Sequence, residues 1–281
     1  MTELTSRRRA LITGAAGGMG RACARILGAT HDLVLTDVAE PALEGFAKDL
    51  RAEGYTVLGA HAGDLGSDAV LAALTGHLLP DQPFSVIHTA GLSPALAGWE
   101  AIMQINLVAT EKLLCAIEPK LTAGTAVVVI ASSAAHMMPR MAEADAVMLN
   151  PLAPDFMDRI APLVQQAYGQ TPIMGMGGVS YTFSKQAVLD IVRRRAVAWG
   201  TRARITSISP GMIATPMGKQ EMEKTAGAVE VAQATPAGRT GTALDIALAA
   251  RFLVSEEASF ISGCDLQVDG GAVACVTLSR G

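Results

Sequence analysis

The stretch Thr13-Gly14-Ala15-Ala16-Gly17-Gly18-Met19-Gly20 joins a short apolar run, Ala10–Thr13, to a helical pattern over Gly18–Ala29. Three of its glycines have distinct physical uses. Gly14 permits a tight turn, Gly18 lets the backbone approach a bound group closely, and Gly20 lets helix and strand pack together. The helix that follows presents free N–H groups and the positive end of its dipole, a site suited to phosphates. Outward from this junction the same rhythm repeats. Apolar runs at Leu33–Thr36, Thr56–Ala60, Val86–Thr89, Ala126–Ala131, Ile205–Ile208 and Leu266–Val268 alternate with helical patterns at Glu40–Glu53, Trp99–Leu121, Val179–Trp199 and Ala243–Val254.

Strands apolar on both faces and separated by helices imply a parallel sheet covered on two sides. The expectation is an α/β protein: a single Rossmann-type, doubly wound parallel sheet of about seven strands, forming one domain over residues 1–281. Asp37 closes the second strand, 17 residues after Gly20. A carboxylate there accepts hydrogen bonds from ribose hydroxyls and repels a 2′-phosphate, so NAD is expected over NADP.

Composition limits the partners. The chain has 281 residues, 50% of them hydrophobic and 17% charged, with 22 basic against 26 acidic side chains and a net charge of −4. With a pI near 5.7, no basic field exists to hold nucleic acid. Mean hydropathy is high at +0.35, yet no apolar run approaches the ~20 residues of a membrane span. Arg7-Arg8-Arg9 is not followed by the apolar stretch of a secretory signal. The four cysteines are scattered, without a Cys-x-x-Cys pair, and suit a reduced compartment. The chain is therefore expected to be cytoplasmic, with no membrane or nucleic-acid partner and no metal site.

Tyr181 and Lys185 stand four apart in a helical pattern and share a face. A phenol with a pKa of about 10 is a poor base at neutral pH; a cation one turn away is expected to lower that value. Tyr181 can then exchange a proton with an alcohol or a carbonyl. Together with Thr13-Gly-x-x-x-Gly-x-Gly20, the run Tyr181-Thr-Phe-Ser-Lys185 resembles the short-chain dehydrogenase/reductase family. The resemblance extends along the chain through Asp64, Ala90-Gly91, Asn106, Ser132-Ser133, Pro210-Gly211 and Val268-Asp269-Gly270-Gly271.

That resemblance implies an NAD-dependent oxidoreductase interconverting a secondary alcohol and a ketone. It makes Tyr181 the acid/base and gives Lys185 a second role on the nicotinamide ribose. Ser133 is the first choice to hold the substrate oxygen, with Ser132 the fallback, and Asn106 matches the asparagine of a proton relay. Gly14, Gly18, Met19 and Gly20 would face the cofactor phosphates. Asp64 and the Leu65 backbone would meet the adenine, and Ala90 and Gly91 the adenosine ribose. Pro210, Gly211, Ile213 and Thr215 would meet the nicotinamide carboxamide. The family pattern departs at His88-Thr89, where two asparagines are usual, which puts a stabilising side-chain network in question; His88 is expected to be structural.

The spacing of 48 residues between Ser133 and Tyr181 is several times the family's usual one. A similar insertion occurs in bacterial 3α-hydroxysteroid dehydrogenase/carbonyl reductases, which implies a bulky, apolar, steroid-like or cyclic substrate. The inserted segment, 134–178, holds Met137, Met138, Met141, Met148, Met157, Met174 and Met176. It is expected either to form a lid, with a methionine wall over the substrate and Gly175, Gly177 and Gly178 as hinge, or to pack on the flank as a helical piece. A substrate loop is expected over 211–241. Two other functions fit the same fold: an idle NAD(H)-binding regulator, which needs none of Asn106, Ser133, Tyr181 and Lys185, and an epimerase or dehydratase, which needs a larger C-terminal region. A homodimer or homotetramer is expected, with the apolar tail Ala272–Leu278 packing across an interface.

Overall fold

A computed structural model describes residues 7–224, 229, 232–233 and 235–279. Seven strands form one parallel sheet: β1 (Arg8–Thr13), β2 (His31–Asp37), β3 (Val57–Ala62), β4 (Phe84–His88), β5 (Thr125–Ile130), β6 (Ala203–Pro210) and β7 (Asp265–Val268). Their spatial order is β3-β2-β1-β4-β5-β6-β7. The order reverses between β1 and β4, which opens a crevice at the strands' carboxyl ends, where open α/β sheets bind ligands.

Side-chain alternation divides the core in two. Leu11, Val34, Val86, Val127 and Val129 point to one face. There they meet α3 (Asp68–Gly76), α4 (Trp99–Met103), α5 (Ala109–Ile117) and α9 (Gly175–Trp199). Ile12, Leu33, Leu35, Ile87 and Val128 point to the other, where α1 (Gly18–Gly28), α2 (Glu40–Ala52) and α11 (Ala243–Val254) cover them. Thr242 and Asp245 close a reciprocal capping box at the start of α11.

Several boundaries differ from expectation. The helix expected over Trp99–Leu121 is broken into α4, a π-helical turn (Gln104–Val108) and α5; it then ends in a 3-10 turn, Glu118–Lys120, because Pro119 cannot donate to the ladder. The long catalytic helix begins at Gly175, not Val179, so Gly177 and Gly178 are helical; only Gly175, at φ 64°, has hinge-like backbone. The tail expected to lack a core position forms α12 (Ala272–Leu278). Ala272 and Val273 are buried within the chain, and Asp269 accepts from the Gly271 and Val273 amides at 2.9 and 2.8 Å.

The insertion packs on the flank. It folds into α6 (Ala134–Met137), α7 (Ala142–Met148) and α8 (Phe156–Gln170). Ala144, Met148, Phe156, Ile160, Val164 and Ala167 enter the core cluster that holds Val188, Ile191 and Val192 of α9. Met138, Met141, Met157, Met174 and Met176 pack against the same cluster, half-buried. The polar face is outward at Asp155, Asp158 and Arg159; Asp145 instead pairs with Arg140, which also binds Asp190 of α9.

Ile160 is fully buried in this contact. Ile160→Ala should cost about 2–5 kcal/mol in chemical denaturation and leave the KM of a folded sample unchanged. A raised KM at unchanged stability would restore the lid.

Candidate active site

The glycine turn is shaped by contacts that exclude side chains. A Cβ on Gly20 would stand 2.1 Å from the Gly14 carbonyl oxygen, and one on Gly18 would stand 2.6 Å from Thr215 Cγ2. Gly14, at φ 63°, lies against Ala90 at the end of β4. The N-terminus of α1 has no side-chain cap and no acidic residue in its first turn, so its amides are free for an anion. Met19 packs beneath this turn, half-buried. The Asp37 carboxylate accepts from the Ala16 amide at 2.9 Å and from the Ala39 amide at 3.0 Å, which fixes it beside the turn. Asp64 is exposed at the end of β3 and accepts from the Gly66 amide, while the Leu65 side chain is in the core. Glycines that admit no Cβ, uncapped amides and a carboxylate at the end of β2 together fit a dinucleotide.

Tyr181 and Lys185 enter from α9. Lys185 Nζ donates to the Ile130 carbonyl at the end of β5, at 2.8 Å, and lies 5.8 Å from the Tyr181 ring centre. Ser132 neighbours the Tyr181 phenol and works to lower its pKa; its hydroxyl accepts from the Ala134 amide at 3.2 Å. The Ser133 amide donates to the Pro210 carbonyl at 2.9 Å, and Ser133 precedes α6. Of the two serines, the fallback Ser132 is the one that influences the Tyr181 phenol. The chain leaves β5 and bends directly into α6, which carries the second serine off the sheet edge.

Asn106 lies in the π-helical turn. Its Oδ1 accepts from the Leu92 amide at 2.7 Å and its Nδ2 donates to the Leu92 carbonyl at 2.9 Å. A Cβ on Gly91 would be 3.2 Å from Asn106 Oδ1 and 3.6 Å from Lys185 Nζ, so these three residues converge. π-helical turns recur at functional positions.

Beyond β6, Gly211 donates to the Val268 carbonyl, and Ile213 bridges to Gly241. The Thr215 hydroxyl accepts from the Gly218 amide and starts α10 (Pro216–Lys224). Lys224 Nζ reaches across to the Ala95 carbonyl at 2.9 Å. The segment expected as a substrate loop over 211–241 is partly outside the described residues.

Burial moves the two catalytic candidates in opposite directions. Desolvation, then the nearby Glu221 carboxylate, pushes the Tyr181 phenol up to about 12, against a small opposing effect of the Ser132 hydrogen bond. Desolvation brings the Lys185 ammonium down to about 8. The expectation that Lys185 lowers Tyr181 is therefore not met: removing both groups from water outweighs their attraction. Glu221 was not singled out from the sequence. It lies on the inward face of α10 with Met217 and Met222, and burial raises its own carboxyl. Among the described residues no group of three or more metal-binding side chains converges, and no helix is long and apolar enough to cross a membrane.

A family model described as "short chain dehydrogenase" matches residues 8–144, and one described as "Enoyl-(Acyl carrier protein) reductase" matches residues 146–273. A short-chain dehydrogenase/reductase, bsc3, of Alternaria brassicicola is 30% identical over 94% of this chain and 95% of its own. The chain belongs to the short-chain dehydrogenase/reductase family. It is accordingly an oxidoreductase acting on CH–OH groups, of a family that binds a nicotinamide cofactor. Other relatives include a cis-4-hydroxycyclohexanecarboxylate dehydrogenase of Sinomonas cyclohexanicum, 28% identical over 98% of this chain and all of that one. Among solved structures, the 3-alpha-hydroxysteroid dehydrogenase of Pseudomonas sp. B-0831 complexed with NADH superposes with a TM-score of 0.74. It is 27% identical, over 97% of this chain and 98% of that one.

Glu221 gives a signed test of the electrostatics. Its negative charge disfavours a second anion at Tyr181, so Glu221→Gln should lower the phenol's pKa. In the oxidation direction the base must be ionised, so the rising limb of kcat/KM against pH should move to lower pH. An unmoved or alkaline-shifted limb would contradict the placement of Glu221.

Proposed function

We propose that this enzyme oxidises a secondary alcohol, or reduces the matching ketone, with NAD, and that its substrate is cyclic and largely apolar. The observation that carries the reading is that Ser132 neighbours the Tyr181 phenol one helical turn from the buried Lys185 ammonium, which donates to the Ile130 carbonyl. The relatives that act on a hydroxycyclohexane acid and a hydroxysteroid support the substrate class.

The cofactor, when bound, accepts or returns the hydride. The chain's own residues do the rest. Ser132 holds the substrate oxygen by hydrogen bond next to the Tyr181 hydroxyl. Tyr181 takes the alcohol proton in one direction and supplies it in the other. A phenol held near 12 is protonated at neutral pH, so the oxidative direction needs its proton drawn off as the alcohol reacts. Lys185 supplies the positive charge that a forming phenolate needs. Asn106 fixes the Leu92 backbone beside that ammonium. Gly14, Gly18 and Gly20 leave room for the pyrophosphate. Asp37 would face the adenosine ribose of a bound cofactor and disfavour a 2′-phosphate; the Arg21 guanidinium is held on the Ala16 and Ala42 carbonyls. An idle binding protein would need neither Ser132 nor Tyr181, so their pairing weighs against that role.

Tyr181→Phe should remove at least about 99% of turnover, in line with general acid–base contributions, while NAD still binds in a fluorescence titration. Ser132→Ala should lower kcat similarly and Ser133→Ala far less. NADP should bind more weakly in the same titration. Near-normal turnover by Tyr181→Phe would overturn the acid/base role.

We further propose a homodimer through α11 and the edge strand β7. Leu244, Leu248 and Phe252, spaced four apart, are 50%, 42% and 45% exposed on α11, and Leu266 is 37% exposed on β7. Such a stripe is self-complementary about a two-fold axis. The insertion covers α9, the other long helix, which limits assembly to this face. Phe252→Glu should give a monomer by light scattering at micromolar concentration; an unchanged assembly would exclude this face.

A further inference from the structure

His88 stands where the family pattern departs, at the end of β4, fully enclosed between β1 and α5. Its two ring nitrogens have partners of defined direction. Thr110 Oγ1 donates to the Asn106 carbonyl at 2.9 Å. A hydroxyl has one proton and a carbonyl can only accept, so Thr110 must accept from His88 Nε2, 2.7 Å away. Nε2 therefore carries the proton. In a neutral ring Nδ1 is then bare, and it accepts from Thr13 Oγ1 at 2.7 Å. Thr13 Oγ1 in turn accepts from the Ala90 amide at 3.2 Å. The ring is neutral because burial, with the Lys185 charge nearby, brings His88 down to about 3.

We propose that His88 is a positioning residue, a neutral imidazole carrying one directed chain of hydrogen bonds from Ala90 through Thr13 and Thr110 to the Asn106 carbonyl. The chain joins the glycine turn to the π-helical turn. Residues 90–92 are then held at both ends: Ala90 by Thr13, and Leu92 by the Asn106 side chain. Gly91, between them, passes beside Lys185 Nζ. Breaking the chain loosens the backbone against which the catalytic ammonium is set, so the cost should fall on kcat. This inference rests on the proposed roles of Tyr181 and Lys185.

The test uses the full-length enzyme with NADH and a cyclic ketone. Thr110→Val keeps shape but removes both bonds of one hydroxyl; Thr110→Ser restores them; His88→Leu removes the bridge. Thr110→Val and His88→Leu should lose about ten- to a hundredfold in kcat, as small misplacements of catalytic groups do. KM and NADH affinity should change by less than about threefold, and Thr110→Ser should recover most of the rate. Independently of activity, long-range proton–nitrogen NMR should show His88 with a protonated Nε2 and a bare Nδ1, unchanged from pH 9 to pH 5. If His88→Leu does not fold, Thr110→Val and the spectrum decide. An unchanged kcat in folded Thr110→Val, a proton on Nδ1, or titration within that range would overturn the proposal. Activity retained by Tyr181→Phe would instead overturn the reading of the site on which it rests.

Discussion

A buried ammonium governs the layout of this protein. Lys185 is 5% exposed, and its one short contact is to the carbonyl at the end of β5. A charge removed from water is costly unless it meets polar groups, and the surroundings supply them in a fixed arrangement. The sheet ends in a carbonyl there, and the helix facing it widens into a π-helical turn that brings Asn106 close. Gly91 has no side chain to intervene. Proximity to a cation is useful only if Tyr181 is held in register with it, and α9 achieves this by burying nearly the whole of its first half.

The insertion belongs to the same problem. Its helices add Phe156, Ile160 and Val164 to the apolar cluster around α9, and Arg140 binds Asp190 on that helix. The extra segment thus buttresses the helix that carries Tyr181 and Lys185. Methionine suits this position because its flexible thioether fills irregular gaps. Beyond β6, α10 brings Glu221 within electrostatic reach of Tyr181, and its Lys224 is fastened to the Ala95 carbonyl. A carboxylate that acts on Tyr181 thus comes from a segment 40 residues further along the chain.

Burial sets the protonation states as well. Desolvation favours the neutral form of each group, so the phenol rises while the ammonium falls. A phenolate forming at Tyr181 would draw on the Lys185 charge.

Much of this was legible in the chain because it is written at short range. A strand, a glycine turn and a helix must follow one another in sequence, and residues four apart on a helix must share a face. The parallel sheet, the phosphate-facing turn, Asp37 at the end of β2 and the Tyr181–Lys185 pair follow from such local rules. Tertiary structure decided what depends on contacts between distant segments. Ser132 rather than Ser133 meets Tyr181 because of how the chain leaves β5. His88 is enclosed by Thr13 and Thr110, 75 and 22 residues away. Met138, Met141, Met148 and Met157 join the apolar cluster that includes α9 because apolar surface is buried wherever a partner face exists, and hydrophobicity has no direction of its own. Pattern fixes which side chains can share a face; only packing fixes which faces meet and which polar groups lose their water.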